Sequence, residues 1–417
     1  MPPASGTRHR MVALTLALIA VAYLDRVCIA TAAPAIKAEL GLDDSQMGMV
    51  FSAFTFAYAI FEIPSGWLAD RYGARVTLTR IVLWWSLMTA MTGLATGFLS
   101  LIALRFLFGI GEAGAFPAMA RAYSRWLPSR ERGRSFGLAI MTGAVAGAIT
   151  QPLVVLLLEH TSWQRVFALF GCVGVGWAAL WWWWFRDDPR QHRSVNQGEL
   201  AEIAAGGAED RPHGHVQWRI LMRNRTLMVL CTMYFCVIYG WYFYLTWMPT
   251  YLLRARGFEL REVGWLAALP LLSIALGVFL GGWISDRLVL RLGSRRGRQA
   301  CGLVGLPVAA AAVLGGVLTK DPMTSALLLA LGGGAAALGV APAWAVSLEI
   351  GGVHAGVVSG AMNMFGNLGG TLSPLVIGSA LQRWQSWDSP LISVAVLYLA
   401  AAVCWLVIDP GDRIEQG

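Results

Sequence analysis

The chain alternates between long apolar runs and short polar segments that carry most of its charges. Crossing the hydrocarbon core of a bilayer takes a helix of about 20 predominantly apolar residues, and the apolar runs reach that length. The pattern therefore predicts twelve membrane-spanning helices. These are expected near residues 11–34, 47–69, 76–97, 99–122, 135–158, 164–185, 226–252, 262–284, 299–318, 323–348, 356–381 and 389–408.

The longest polar stretch, residues 186–224, separates the predicted spans into two sets of six. It is rich in Arg, Gly and His, and one short helix is expected in it near Gly198–Ala205. We expect residues 1–185 to form an amino-terminal bundle, residues 186–224 a cytoplasmic linker and residues 225–417 a carboxyl-terminal bundle. The predicted fold class is an all-α membrane protein.

Composition agrees with this assignment. Of the 417 residues, 57% are hydrophobic and only 13% are charged, whereas soluble domains carry about 25% charged residues. This balance excludes soluble globular and disordered chains. The six cysteines fall inside apolar runs without paired spacing, so we interpret them as small buried apolar residues and expect no metal site.

The net charge of +8 also reflects membrane topology. Of the 32 Lys and Arg residues, 23 lie on the side of the amino terminus and the even-numbered loops, and 7 lie on the other side. Because cytoplasmic loops are enriched in Lys and Arg, both termini are expected in the cytoplasm. The expected location is a bacterial-type inner (plasma) membrane. The lipid bilayer is therefore the expected partner, and we expect no binding of nucleic acid.

The two halves of the chain repeat a motif at nearly one spacing. Gly66-Trp-Leu-Ala-Asp70-Arg71 follows the second span, and Gly282-Trp-Ile-Ser-Asp286-Arg287 follows the eighth. Three further pairs are separated by almost the same length of chain: Gly133 with Gly356, Gly137 with Gly360, and Pro117 with Pro342. These anchors predict duplicated six-helix halves, with a substrate site between them near mid-membrane. A cleaved signal peptide, the alternative for the first apolar run, would break this symmetry.

The repeated motif places an Asp, an Arg and a Gly between two helix ends, where such residues cap and clamp helices. We interpret it as a gate that holds one access state; the alternative is a set of charges that only fix topology. The gating residues predicted are Gly66, Asp70, Arg71, Gly73, Arg75, Asp286 and Arg287.

Ionisable residues inside spans are functional candidates, because an unpaired charge there costs several kcal/mol. In the first half these are Asp25, Arg26, Glu62, Arg105 and Glu112. Tyr23 and Arg26, three residues apart, share a helix face, while Asp25 points away from it. We expect Tyr23, Tyr58 and Arg26 to face the substrate, and Asp25 to meet Arg105 with Glu112 nearby.

The chemistry of these side chains suits an anion. The planar guanidinium of Arg26 can hold a carboxylate through two parallel hydrogen bonds. A buried carboxylate is costly to leave charged, so Asp25 and Glu112 are candidate proton carriers whose neutralisation would release an Arg partner. A purely structural buried ion pair is the alternative.

The second half offers fewer candidates. For Tyr239 and Trp344 the sequence leaves two alternatives: they line the substrate cavity, or they pack against lipid or neighbouring helices. Glu349 is expected to clamp a helix end. Asn363 lies at the expected depth of the substrate, where a buried amide needs a hydrogen-bond partner.

These residues carry a resemblance. Over its full length the chain resembles the major facilitator superfamily, and three segments resemble its anion:cation symporter family, which includes bacterial hexuronate, glucarate and galactonate permeases. The segments are Tyr23 to Arg26, Arg105 to Pro117, and Tyr242 to Pro249. The resemblance implies substrate binding by Arg26 and Asn363 and proton binding by the acids of spans one and four. Sugar-acid relatives often carry Gln where this chain has Gly143, which favours a less hydroxylated or an aromatic carboxylate.

We therefore expect proton-coupled uptake of a small organic anion, such as a sugar acid or other carboxylate, by alternating access. The proton is the coupling ion, no other cofactor is expected, and a monomer is the expected functional form. Two alternatives stay open: a proton-driven antiporter that exports a small molecule, and a membrane sensor that transports nothing. The sequence shows no nucleophile–base pair of the kind that would indicate an enzyme.

Overall fold

The computed structural model describes residues 4–205, 224–352 and 355–412. Regular structure in these ranges is helical, with one short 3₁₀ turn at Pro189–Gln191. The α-helices are α1 (Thr7–Leu40), α2 (Asp44–Thr92), α3 (Phe98–Glu112), α4 (Ala115–Trp126), α5 (Ser129–His160), α6 (Trp163–Trp184), α7 (Gln197–Ala205), α8 (Arg225–Thr246), α9 (Met248–Ala255), α10 (Leu260–Leu318), α11 (Pro322–Ala337), α12 (Val340–Gly351), α13 (Ala355–Trp384) and α14 (Asp388–Val407).

The predicted all-α class is confirmed. Within the described ranges, 8 helical stretches are long and apolar enough to cross a membrane. The second and third predicted spans lie in α2, and the eighth and ninth lie in α10. The count of twelve spans stays a prediction, and so does the division into bundles at residues 185 and 225.

Both of these long helices are interrupted at one glycine. Gly73 in α2 has φ 80° and ψ 164°, and Gly293 in α10 has φ 80° and ψ 166°. Side chains avoid this region of backbone space, so each break needs a residue without a Cβ atom. The separation of the two breaks along the chain is close to that of the repeated loop motifs. The repeat inferred from those motifs is therefore also a repeat of backbone conformation.

An aspartate supports the segment after each break. Asp187 Oδ1 accepts a hydrogen bond from the backbone N–H of Arg75 at 3.0 Å, and Asp409 pairs with Arg295 Nη1 at 3.0 Å. The Arg75 guanidinium also donates to the Trp182 carbonyl oxygen and lies over the Trp182 ring. Carboxylates that follow the last helix of each half thus hold the turn between its second and third predicted spans.

By internal contacts the chain forms two compact units that are discontinuous in sequence. The first comprises the described parts of Met1–Cys28, Phe56–Gly147 and Leu157–Pro212. The second comprises those of Ile29–Thr55, Ala148–Leu156 and His213–Gly417. Each unit has a core of large buried aromatic side chains, which contribute much of its buried apolar area. These include Trp85, Trp126 and Trp181 in the first unit and Trp247, Tyr251 and Trp405 in the second.

In the second unit, the start of α2 packs directly on α13. A Cβ atom on Gly378 would lie 2.5 Å from the backbone oxygen of Asp44, and one on Gly48 would strike the backbone oxygen of Pro374. The Asp44 carboxylate pairs with Lys37 and, at 2.9 Å, with Arg254. Small residues here allow two helix backbones to touch. The ion pairs tie the start of α2 to α1 and α9.

The short helix predicted in the linker is present as α7, and it binds the amino-terminal segment. The Glu199 carboxylate is fully buried and accepts hydrogen bonds from the backbone N–H groups of Thr7 and Arg8 and from the Ser5 hydroxyl. It thereby caps the first turn of α1 from a distant part of the chain. The rest of the predicted linker, residues 206–223, lies outside the described residues.

Candidate functional site

The charged residues of the predicted first and fourth spans come together in the first unit. Arg26 on α1 donates from Nε to Oε1 of Glu112 on α3 at 3.1 Å and from Nη2 to the same oxygen. The side chains of Arg26 and Glu112 are only 12% and 2% exposed. One edge of the guanidinium is thus occupied by a single oxygen of a protein carboxylate. A carboxylate substrate would use the same edge of Arg26.

The second oxygen of Glu112 is in a different environment. Oε2 is buried and has no hydrogen-bond partner among the described residues. A charged carboxylate oxygen without a partner is unfavourable, whereas a proton on Glu112 would remove its charge and weaken its hold on Arg26. This arrangement can couple protonation to the accessibility of the Arg26 edge.

Two aromatic rings flank Arg26. Its guanidinium carbon lies 5.0 Å from the centre of the Tyr23 ring and 5.3 Å from the centre of the Tyr58 ring. The structure therefore brings together the three predicted substrate-facing side chains. Cation–π contacts of this kind hold a guanidinium in place while leaving its N–H groups directed at other partners.

The Tyr23 ring also rests on α5. A Cβ atom at Gly143 would lie 2.5 Å from Cε2 and 2.8 Å from Cζ of Tyr23. These distances are far shorter than any real carbon–carbon contact, so the ring occupies the space that a side chain at position 143 would need.

Asp25 and Arg105 lie deeper in the first unit. They are 0% and 1% exposed, and the charges of Arg105 and Glu112 both act on Asp25. The Arg105 guanidinium also lies over the ring of Phe108, 4.3 Å from its centre. The spacing argument expected Arg105 to pair with Asp25 and did not anticipate the direct contact between Arg26 and Glu112. Because Arg26 and Glu112 lie on different helices, that contact depends on how α1 and α3 pack together and not on spacing within either helix.

The second unit places its candidates in a more apolar setting. Trp344 donates from Nε1 to the hydroxyl of Tyr234 at 3.1 Å. Tyr239 is 2% exposed and its hydroxyl lies 3.2 Å from Ser393 Oγ, so its polar end is used inside the helix bundle. Asn363 lies half-buried on α13.

Tyr234 was missed by sequence reasoning, because the spacing of the repeated anchors does not lead from Tyr23 to it. A Cβ atom at Gly366 would lie 2.6 Å from Cδ1 of Tyr234. Gly366 follows Gly143 at the same spacing that relates Gly133 to Gly356. In each half, then, a tyrosine from the first helix rests on the same glycine of the fifth.

The predicted gating residues occupy the turns around the two glycine breaks. In α2, Gly66 lies against Pro117, and Arg71 lies over the Trp67 ring, 5.3 Å from its centre. Gly73 and Arg75 form the break held by Asp187, as described above. The side chain of Asp70 lies outside what the structure describes.

In the second half, the gating residues join a larger ion-pair cluster. Arg298 pairs with Asp286 at 2.7 Å and with Glu349 at 2.9 Å. Arg287 lies over the ring of Trp283, 3.8 Å from its centre. Glu349 was expected to clamp a helix end, and through Arg298 it ties α12 to α10. Arg298 is the partner that the motif did not reveal.

Comparisons with known proteins agree with this architecture. The family model for the Major Facilitator Superfamily matches residues 15–374. The chain is 38% identical over 409 residues to a probable sulfoacetate transporter of Cupriavidus necator, covering 97% of this chain and 94% of that protein. It is 32% identical to a D-galactonate transporter of Escherichia coli, covering 96% of each. The crystal structure of a bacterial homolog to the human lysosomal transporter Spinster, inward-facing and unoccupied, superimposes with a TM-score of 0.77 over 96% of each chain; at 19% identity it shows the fold alone.

Proposed function

Because this chain belongs to the Major Facilitator Superfamily, and is therefore a multi-pass membrane transporter and not an enzyme, we propose that it takes up a small organic anion together with a proton. The observation that supports this proposal is the contact between Arg26 and Glu112. It combines a fixed cation, which an anionic substrate requires, with a buried acid that competes for the same cation.

The competition supplies the coupling. While Glu112 is charged, it occupies the Nε–Nη2 edge of Arg26 and repels a second anion. When Glu112 takes up a proton, its hold on Arg26 weakens and the edge becomes available to the substrate. Since each ligand favours the state that binds the other, anion and proton bind together and leave together. Asp25 and Arg105, buried beside this pair, are proposed to complete the proton-coupling group.

The proposed substrate is a small acid. The two relatives described above are named for sulfoacetate and D-galactonate, which are both organic anions. The aromatic surroundings of Arg26 suit an anion whose non-ionic part is compact. We further propose that the protein lies in the inner (plasma) membrane with both termini in the cytoplasm, and that it functions as a monomer. The two repeated motifs are proposed to act as gates. The residues proposed to contribute to substrate binding besides Arg26 are Tyr23, Tyr58, Tyr239, Trp344 and Asn363.

The test is uptake by the full-length protein in proteoliposomes, with sulfoacetate as a short probe and D-galactonate as a polyhydroxylated probe. An inward proton gradient should drive accumulation of at least one probe, and Arg26→Ala should abolish both binding and accumulation. Accumulation that ignores the gradient would refute coupling, and unchanged affinity in Arg26→Ala would exclude Arg26 as the anion ligand. A gradient that empties the vesicles would identify an exporting antiporter, and binding without movement would identify a sensor.

A further inference from the structure

The Tyr23 ring touches both the candidate anion ligand and the backbone of α5. Its ring centre lies 5.0 Å from the guanidinium carbon of Arg26, and its edge fills the space beside Gly143. Gly143 is buried, and its helix is regular there, so no backbone requirement explains the glycine. What the position requires is the absence of a side chain.

We propose that Gly143 is a positioning residue that makes the Arg26 site selective for short, sparsely hydroxylated anions, because it seats the Tyr23 ring against α5 and beside the guanidinium. The proposal deepens the function proposed above and rests on it. Gly143 itself need not touch the substrate; it acts through Tyr23.

The selectivity follows from what the seated ring presents. Ring carbons cannot accept or donate conventional hydrogen bonds, and the hydroxyl of Tyr23 is attached to Cζ, beside Gly143. A substrate hydroxyl placed against the ring face therefore loses water without gaining a partner. An acid with few hydroxyl groups does not incur this desolvation cost. A site lined in this way disfavours each unmatched hydroxyl by roughly tenfold or more.

The internal repeat argues that this seat is more than a local packing accident. Gly366, the equivalent of Gly143, seats Tyr234 in the same way, and Tyr234 in turn accepts a hydrogen bond from Trp344. The two seats support different side chains, a cation in one half and an indole in the other. What the halves share is the tyrosine on a glycine, and what differs is the group that the ring holds.

A Cβ atom at position 143 should displace the ring without unfolding the protein. The atoms that it would meet are Cε2, Cζ and Cδ2 of Tyr23, which belong to a side chain that can rotate, and not to backbone. Gly143→Ala is therefore expected to weaken the positioning of Arg26 while keeping the helices in place. Gly137→Ala is the matched control, since Gly137 lies on the same helix and a Cβ atom there would have nothing within 4 Å.

The experiment measures binding of sulfoacetate and D-galactonate to the full-length protein in lipid nanodiscs by calorimetry. Wild type should bind sulfoacetate more tightly, Gly143→Ala should weaken its binding roughly tenfold and narrow the ratio between the two probes, and Gly137→Ala should change neither. In a Tyr23→Ala background, where the ring is gone, adding Gly143→Ala should have no further effect.

Three results would overturn the proposal. These are an unchanged affinity ratio in Gly143→Ala, an equal loss in Gly137→Ala, and additive losses for Gly143→Ala and Tyr23→Ala in the double variant. Thermal unfolding of each variant separates lost binding from lost fold. A wild-type protein that binds neither probe refutes the transport proposal together with this one, whereas a wild type that binds and transports while failing the Gly143 tests refutes this inference alone.

Discussion

Replacing Glu112 by Gln removes one charge from the buried pair with Arg26 and keeps its shape. Arg26 donates to Oε1 from both Nε and Nη2, and Gln offers an oxygen in the same place. Hydrogen bonds to a charged group stabilise by about 1.5–3 kcal/mol. Gln keeps the charged guanidinium as its donor but loses the attraction between the two opposite charges. The variant should therefore hold the Arg26 edge less tightly, by about 1–2 kcal/mol. An anion competing for that edge gains the difference, which corresponds to about tenfold tighter binding.

The assay is calorimetric titration of sulfoacetate into nanodisc-embedded protein, from mildly acidic to mildly alkaline pH. In wild type the affinity should fall as pH rises, because charged Glu112 competes with the anion. In Glu112→Gln the affinity should depend on pH much less than in wild type, since only Asp25 of the two candidate proton carriers is left, and it should exceed that of wild type at the alkaline end. Proton-driven accumulation in proteoliposomes should be lost in this variant, while exchange of anion for anion continues.

Glu159→Gln provides the matched control, because Glu159 is exposed at the end of α5 and the chemical change is the same. It should behave as wild type. Weaker anion binding by Glu112→Gln at alkaline pH would refute the competition argument. A pH dependence as steep as that of wild type, or full gradient-driven accumulation by this variant, would also refute it.

Two further predictions concern stability and are checked by thermal unfolding of the purified protein. Gly73→Ala and Gly293→Ala should each lower the free energy of unfolding by about 1–3 kcal/mol, because both glycines have φ 80°. Gly73→Ala should lower it more, since its Cβ atom would meet the Asp187 carboxylate at 2.8 Å, whereas a Cβ atom at Gly293 would meet nothing within 4 Å. Equal losses of stability would contradict this interpretation of the turn at Gly73. Burial alone would raise the pKa of Glu199, but hydrogen bonds from Ser5 and from the first turn of α1 lower it below its usual value of 4.5. Glu199→Gln should therefore cost about 1–2 kcal/mol near neutral pH, and its deficit relative to wild type should shrink as pH falls through the native pKa, whereas a deficit that does not vary with pH would exclude this charge as the cause.

Much of the architecture follows from local sequence properties. Apolar runs long enough to cross a bilayer dictate helices, because the backbone of a spanning segment must satisfy its own hydrogen bonds. The duplicated motif around Gly73 and Gly293 reveals the repeat, since both turns need the same rare backbone conformation. The short helix α7 was also expected, near Gly198–Ala205, and the structure has it at Gln197–Ala205.

The candidate site shows where local reasoning ends. Spacing of three residues was enough to put Tyr23 and Arg26 on one face of α1, because helix geometry alone determines it. The partner of Arg26 depended on how α3 packs against α1, and spacing within each helix carries no information about that. For the same reason, the family resemblance marked Gly143 only as a position where sugar-acid relatives often carry Gln. The fold shows that the Tyr23 ring fills the space beside it.

The sequence by itself thus determined the helical membrane fold, its internal duplication and the identity of the charged residues, since each depends on hydrophobicity, backbone conformation or composition along a short stretch of chain. Only the tertiary structure decided that Glu112 holds Arg26, that Asp187 supports the turn at Gly73 and that Glu199 caps α1. Each of these contacts joins residues far apart in the chain, and the free energy that selects one partner over another comes from desolvation and packing in the assembled helices.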